Sequence, residues 1–316
     1  MSLTATPITP RFGAEISGID LTRPLSQEQV GEVIDAMTRW GVCVFRNTGM
    51  TDAQHVEFSR NFGYLERVPK REGLRMRLPF RELFDASNLN IDGEITQDPA
   101  AIRYRKGDML WHTDSAFMEK RTSYSALLAH IVPPEGGDTG FADARTAYEE
   151  LDAETKALIE GKIGINSLWW SRKQAGADIP DEEIEARPVA RHPIVHTHAA
   201  SGRKSLFIAA HTMDIEGMDK AEGRALIRRL IDHVTQDKYT FYVNWQPGDL
   251  VMWDNLCTMH RGGLYDMDRY KRDMRRTTVR EGTEPFQMET GDDPYSALFA
   301  QAPKVVDIAD ARVGGR

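Results

Sequence analysis

Trp111-His112-Thr113-Asp114 is the stretch on which the reading of this chain turns. Residues 110–117 read as a strand, and side chains two apart on a strand point to the same face. The His112 imidazole and the Asp114 carboxylate then offer two legs of a tripod. A third leg from a distant strand would leave half of an octahedral metal open, the two-histidine, one-carboxylate facial arrangement that suits non-haem Fe(II). The plainer alternative is a pair of polar strand residues without a metal.

Composition sets the outer bounds. With 316 residues, 41% of them hydrophobic, the chain can bury a sizeable core. The formal net charge of −8 argues against a nucleic acid or an anionic membrane as general partner. Cys43 and Cys257 both sit in apolar runs and read as small buried hydrophobes, with no disulfide framework, which fits a reducing cytosol. Residues 1–10 lack a basic start followed by an apolar core, and no apolar run approaches the ~20 residues that span a bilayer. A soluble, cytoplasmic protein is expected.

Ser26-Gln27-Glu28-Gln29 has the capping-box pattern, and Val30, Val33, Ile34 and Met37 recur at helical spacing until Gly41, so an amphipathic helix is expected there. Residues 42–45 are a continuous apolar run and read as a buried strand. Residues 51–54 repeat the capping box, and 55–62 make a second helix closed by Gly63, with His55 an ordinary helix residue. From 66 to about 108 the periodicity dissolves into a segment with a basic start (Arg67, Lys70, Arg71, Arg75, Arg77, Arg81). Such a segment is a lid or binding loop, or else a solvated insertion; 88–91 reads as a brief strand within it.

Strands and tight turns follow. Residues 110–117, 124–132 and 139–142 read as strands, with an emphatic turn at 133–138 and a helical patch over 144–159. Trp169-Trp170 reads as core. Residues 194–198 and 205–209 read as a hairpin, as do 239–245 and 250–253; Asp219 caps a helix, and a last strand lies near 275–279. The polar tail, about 282–316, receives no structural assignment. No repeat or Pro/Gly/Ser-rich linker divides the chain, so one mainly β domain with flanking α-helices is expected over 1–316.

His260 follows Trp253-Asp254-Asn255 at the end of a predicted strand and meets the first pair if strands pair non-locally. Thr139 follows the turn Gly136-Gly137-Asp138. Arg272, Met274 and Arg276 alternate, so a strand would aim both guanidinium groups to one side. Guanidinium forks grip carboxylates bidentately, and two of them suggest two anions to hold.

These residues carry a resemblance. His112-x-Asp114, Gly136 to Thr139, Trp253-Asp254-Asn255, His260-Arg261 and Arg272 to Arg276 resemble the Fe(II)- and 2-oxoglutarate-dependent dioxygenases of the TauD/TfdA family, over nearly the whole chain. Within it, Val132 to Thr139, Ser201 to Lys204, Ala221 to Arg224 and Gly248 to Asn255 are most similar to the dichlorophenoxyacetate dioxygenase branch. The resemblance implies a double-stranded β-helix (jelly roll, cupin-like) with iron at one open end. It implies His112, Asp114 and His260 as iron ligands, and Thr139 and Arg272 on the distal carboxylate of 2-oxoglutarate. Arg276 would hold the anionic group of the primary substrate, helped by the Ser115 N–H and by Lys70 or Arg71 of the lid. Fe(II), 2-oxoglutarate and O2 are the implied cofactor and co-substrates, with CO2 and succinate released as the substrate is hydroxylated. On an aryloxyalkanoate such as a phenoxyacetate, the hydroxylated ether collapses to a phenol and a 2-oxo acid. A homo-oligomer is expected.

Other readings stay open. Arg276 would serve a sulfonate or alkyl sulfate as well as a carboxylate, as in the taurine dioxygenase type. A non-catalytic jelly roll that binds a metal or anion is the alternative of another class. His196-x-His198 would share a strand face, with His192, His211 and His233 nearby, but the pattern shows no acidic partner and no zinc spacing. These histidines read as structural. The segment 67–81, Trp169-Trp170 and the tail depart from the phenoxyacetate branch, which leaves the substrate as the least constrained feature.

Overall fold

The structure is a computed structural model and describes residues 3–69 and 76–287. In chain order its strands are β1 (Thr4–Pro7), β2 (Ala14–Ser17), β3 (Val42–Phe45), β4 (Phe84–Asp85), β5 (Thr122–Ile131), β6 (Thr139–Asp143), β7 (Ile163–Asn166), β8 (Ala190–Pro193), β9 (Val195–Thr197), β10 (Lys204–Leu206), β11 (Thr212–Ile215), β12 (Thr240–Val243), β13 (Leu250–Asp254), β14 (Thr258–Gly262) and β15 (Asp273–Arg280). The α-helices are α1 (Gln27–Trp40), α2 (Asp52–Arg60), α3 (Pro99–Arg105), α4 (Ala144–Glu149), α5 (Ala153–Ile159), α6 (Leu168–Gln174), α7 (Asp181–Glu185) and α8 (Lys220–Val234).

A large sheet runs β1-β2-β3-β13-β5-β15-β4, antiparallel except where β2 meets β3. A smaller one runs β12-β6-β14 and faces it. Alternation along the strands explains why. Val42, Val44, Leu127, Ala129, Val251 and Trp253 point inward and meet Phe141, Phe241 and Val243 of the smaller sheet. Their neighbours Cys43, Phe45, Ala126, Leu128, Leu250 and Met252 point outward, where Val33, Met37, Val56 and Phe58 of α1 and α2 cover them. A sheet buried on both faces has to read as an unbroken apolar run, which is the pattern of 42–45. On the far side of the smaller sheet, Ala142 and Met259 pack with α4, α5 and α8. Two sheets closed over one core form the jelly roll.

Both N-terminal helices begin at the expected capping boxes, Ser26 with Gln29 and Thr51 with Gln54. Four expectations need correction. Residues 110–117 form no strand: only His112 bridges to His260, and the chain then turns at Ser115, whose φ is +52°. The brief strand of the irregular segment is Phe84–Asp85 rather than 88–91, where Leu89 makes a single bridge to Ile95. The helical patch over 144–159 is two helices, because the Asp152 carboxylate accepts from the Thr155 N–H and starts a new one. The supposed hairpin at 239–253 is no hairpin, since β12 belongs to the smaller sheet and β13 to the larger. The connection crosses the sandwich.

Candidate active site

The inner end of the sandwich gathers His112, Asp114 and His260. The His112 and His260 main chains exchange hydrogen bonds of 2.9 and 2.8 Å, which fixes their side chains next to each other. His112 Nε2 lies 3.9 Å from one Asp114 oxygen, and His260 Nε2 lies 3.7 Å from the other. The ligand atoms all fall within 4.8 Å of one another, and the three residues are buried. Phe141 and Trp253 flank the His260 ring at 6.1 and 4.6 Å between ring centres, leaving it little room to swing.

The protonation states suit a divalent cation. His112 Nδ1 lies 2.7 Å from the Leu110 carbonyl, so the proton resides on Nδ1 and the Nε2 lone pair is directed at the cluster. Burial pushes His260 well below its ordinary range, which keeps the imidazole neutral. Burial works the other way on Asp114, but the Arg276 guanidinium, helped by the Ser125 hydroxyl, outweighs it and holds the carboxyl down to about 2. Two imidazoles and one carboxylate, all within 4.8 Å of one another, are the donor set of a facial non-haem iron site.

A buried network holds Asp114 in place. Its Oδ2 accepts from Ser125 Oγ at 2.7 Å, its N–H donates to Asn255 Oδ1 at 3.2 Å, and its carbonyl accepts from Thr122 Oγ1 at 3.0 Å. Asn255 is itself held by Trp253 Nε1 at 3.0 Å and donates to Ser125 Oγ at 3.0 Å. Nothing in the local sequence marks Ser125, whereas Asn255 closes the motif Trp253-Asp254-Asn255, to which the sequence reading gave no role.

Of the predicted anion-binding residues, Arg276 reaches this cluster directly, through Asp114. Thr139 opens β6, and its hydroxyl accepts from Trp245 Nε1 at 2.9 Å. Arg272 precedes β15; Asn88 Oδ1 accepts its backbone N–H at 2.8 Å, and its guanidinium passes beside Gly137, two residues before Thr139. No carboxylate among the described residues pairs with Arg272, and burial lowers its pKa. Arg276 lies on β15 with Met274 on the inward face, as the alternation requires; it pairs with Asp114 and stacks on Phe84 at 4.8 Å. Ser115 donates from its hydroxyl to Glu66 Oε2 at 2.8 Å, a buried acid that sequence reasoning passed over. Lys70 and Arg71 lie outside the described residues.

Of the remaining histidines, His211 packs its ring 6.1 Å from that of His112, and the others named above have local partners. Ring nitrogens of His192, His196 and His233 bond the carbonyls of Met118, Leu256 and Ala147. His198 does have an acidic partner, correcting the sequence reading: Asp254 Oδ2 lies 2.8 Å from Nε2 and Ser201 Oγ lies 2.8 Å from Nδ1, with Cys257 close by. Both nitrogens are thereby taken.

A jelly roll whose open end carries this facial triad beside two guanidinium groups defines the class of 2-oxoglutarate-dependent non-haem dioxygenases. The family profile described as "Taurine catabolism dioxygenase TauD, TfdA family" matches residues 4–278. The chain belongs to that family. It is 40% identical over 285 residues to the alpha-ketoglutarate-dependent 2,4-dichlorophenoxyacetate dioxygenase of Cupriavidus pinatubonensis, covering 88% of this chain and 98% of that one. It is 32% identical to the (S)-phenoxypropionate/alpha-ketoglutarate-dioxygenase of Sphingobium herbicidovorans, over 83% of this chain and 89% of that one. Among solved structures, AAD-2 in complex with Mn(II) and N-oxalylglycine is similar at a TM-score of 0.80 and 39% identity, covering 92% of this chain and 100% of that one.

Proposed function

We propose that this protein hydroxylates a small aryloxyalkanoate, such as a phenoxyacetate, and thereby cleaves its ether bond. The observation that carries this reading is the coincidence of one facial triad with two guanidinium groups, Arg272 and Arg276, set in different surroundings. His112, Asp114 and His260 would hold Fe(II) from one side. When bound, iron with 2-oxoglutarate and O2 supplies the oxidising power for C–H hydroxylation. Arg272 and the Thr139 hydroxyl would hold the distal carboxylate of 2-oxoglutarate; the guanidinium donates to the Ala86 carbonyl at 3.3 Å and forms no salt bridge among the described residues, which supports that role. Arg276, with the Ser115 N–H, would bind the substrate carboxylate and so bring the carbon next to the ether oxygen toward the metal. Arg276 pairs with Asp114 in this structure, and a metal held by that carboxylate would leave the guanidinium to an incoming anion. Hydroxylation at that carbon leaves a hemiacetal, which collapses to a phenol and a 2-oxo acid. Lys70 or Arg71 would add a second positive charge from the lid.

The net charge of −8 supports a small molecule rather than nucleic acid or membrane as partner, and no helix among the described residues is long and apolar enough to cross a membrane. Cys43 and Cys257 are both buried and unpaired, which supports a cytoplasmic setting. The assembly we propose is a homo-oligomer, which light scattering will test. The deciding experiment is a panel of phenoxyacetate, both phenoxypropionate enantiomers, taurine and an alkyl sulfate, scored by succinate release. Phenoxyacids should lead the panel. Faster turnover of the sulfonate or sulfate overturns the substrate assignment, and undiminished succinate release by Asp114→Ala overturns the metal site.

A further inference from the structure

Trp111 precedes one histidine of the candidate metal centre and Arg261 follows the other, and both side chains lie on the reverse face of the smaller sheet. His260 points into the sandwich between Phe141 and Trp253, so alternation along β14 sends Arg261 outward with Met259. Trp111 packs on the same outer cluster as Met259 and Ala142. Across the sheet the register aligns Tyr242 of β12, Gly140 of β6 and Arg261 of β14 in one row. Gly140 brings no side chain to that row. A Cβ there would come within 2.7 Å of Tyr242 Cε1 and 3.1 Å of Trp111 Cη2, so both rings lie down on the bare position. The Arg261 guanidinium stands 4.8 Å from the centre of the Trp111 ring and 5.7 Å from that of Tyr242, and its Nη2 donates to Tyr242 Oη at 2.7 Å. No carboxylate among the described residues pairs with Arg261; two rings and a phenol hydroxyl set its place.

The His112 side of the centre needs such a hold. Residues 110–114 form no strand, and they are tied to β14 by the backbone bonds between His112 and His260 and by a 3.1 Å bond from Thr113 Oγ1 to the Thr258 carbonyl. β14 is itself an outer strand of its sheet. Two hydrogen bonds at one bridge define an axis about which the segment can twist. The ring centres of His112 and His260 are 4.1 Å apart, so a small twist alters the spacing of the nitrogens that face the metal. A contact between the neighbouring residues on the opposite face, anchored through Tyr242 to the far strand β12, resists that twist.

We propose that Trp111, Arg261 and Tyr242, stacked over Gly140, form a brace behind the metal centre, positioning residues that hold the His112 and His260 imidazoles at the spacing a divalent cation requires. The proposal rests on the iron-site reading but not on the identity of the organic substrate.

The test measures Mn(II) binding to the metal-free full chain by electron paramagnetic resonance of the free ion, without 2-oxoglutarate, and melting of the same metal-free preparations. Arg261→Gln should bind Mn(II) roughly tenfold more weakly, as expected when support behind a ligand is lost. Its melting temperature should stay within about 2 °C of wild type. Arg261→Lys, whose ammonium can still rest on the rings, should recover most of the affinity. Tyr242→Phe keeps the ring but removes the hydroxyl, and should fall between Arg261→Gln and wild type. Wild-type affinity in Arg261→Gln overturns the proposal, as does a loss that Arg261→Lys fails to relieve. A loss accompanied by a matching fall in melting temperature would mark the stack as general structural support and overturn it too. Asp114→Ala separates this result from the metal site itself. If that variant binds Mn(II) as tightly as wild type, the iron-site reading fails and takes the brace with it; if it loses Mn(II) while Arg261→Gln does not, the brace alone is removed.

Discussion

Arg276 illustrates how much one side chain is asked to do. It pairs with Asp114 and stacks on Phe84, so a single guanidinium touches both a candidate metal ligand and an aromatic wall. Arg276→Gln should raise KM for the aryloxyalkanoate by roughly 10- to 100-fold, the loss of a charge-assisted pair, while KM for 2-oxoglutarate stays within about twofold. The reverse pattern would exchange the roles of Arg272 and Arg276. His55 offers a test that reads stability. It is wholly buried, Nε2 lies 3.1 Å from the Ala126 carbonyl and 3.2 Å from Thr277 Oγ1, and burial pushes its pKa down from 6.5 to about 4. As pH falls the unfolded chain takes up the proton first, so stability is full above about pH 6.5, declines between about 6.5 and 4, and levels below that, for a total of roughly 3 kcal/mol. Urea unfolding of His55→Gln across this range should show a flatter pH dependence; identical slopes would acquit His55. The sequence showed the helix that carries this residue but not its burial, because the covering strand β15 lies more than two hundred positions away.

The turn before β6 is the element whose chemistry is most exposed to mutation. Gly136 and Gly137 have φ of +69° and +70°, and a Cβ on Gly136 would come within 2.3 Å of the Leu264 carbonyl, a backbone atom that cannot step aside. Gly136→Ala should therefore lower the melting temperature and also raise KM for 2-oxoglutarate, since the turn leads into Thr139 and runs beside Arg272. Thermal unfolding with substrate kinetics on the same preparation will show whether the two effects travel together. At this scale the sequence was legible where local chemistry decides: the capping boxes, the diglycine turn, the hairpin of β9 and β10, the Asp219 cap on α8. It was misread where a local signal admits two tertiary answers. Apolar alternation announces β12 and β13 as strands but does not say to which sheet each belongs. His112 and Asp114 share a site because the chain turns sharply at Ser115, not because a strand continues.

For the molecule as a whole, the double burial of the large sheet is what makes the site rigid. α1 and α2 cover one face, the smaller sheet covers the other, and β5, β14 and the residue after β13 deliver Ser125, His260 and Asn255 to the surroundings of Asp114. The family was readable from its resemblance, because each motif is short and keeps its residues in order, and the structure brings His112, Asp114 and His260 within 4.8 Å of one another. The hydrogen bonds that tie Ser125 to Asn255 and Trp245 to Thr139 were not readable, since they exist only when non-local strands pair. The pairing of the His112 and His260 backbones has a last consequence. Most of the sandwich is threaded between these two positions, so the centre works as a clasp joining early and late chain. Cut in the exposed hairpin tip near Gly202, each half would keep an incomplete donor set, and tight metal uptake would return only when the separated halves are mixed and reassociate.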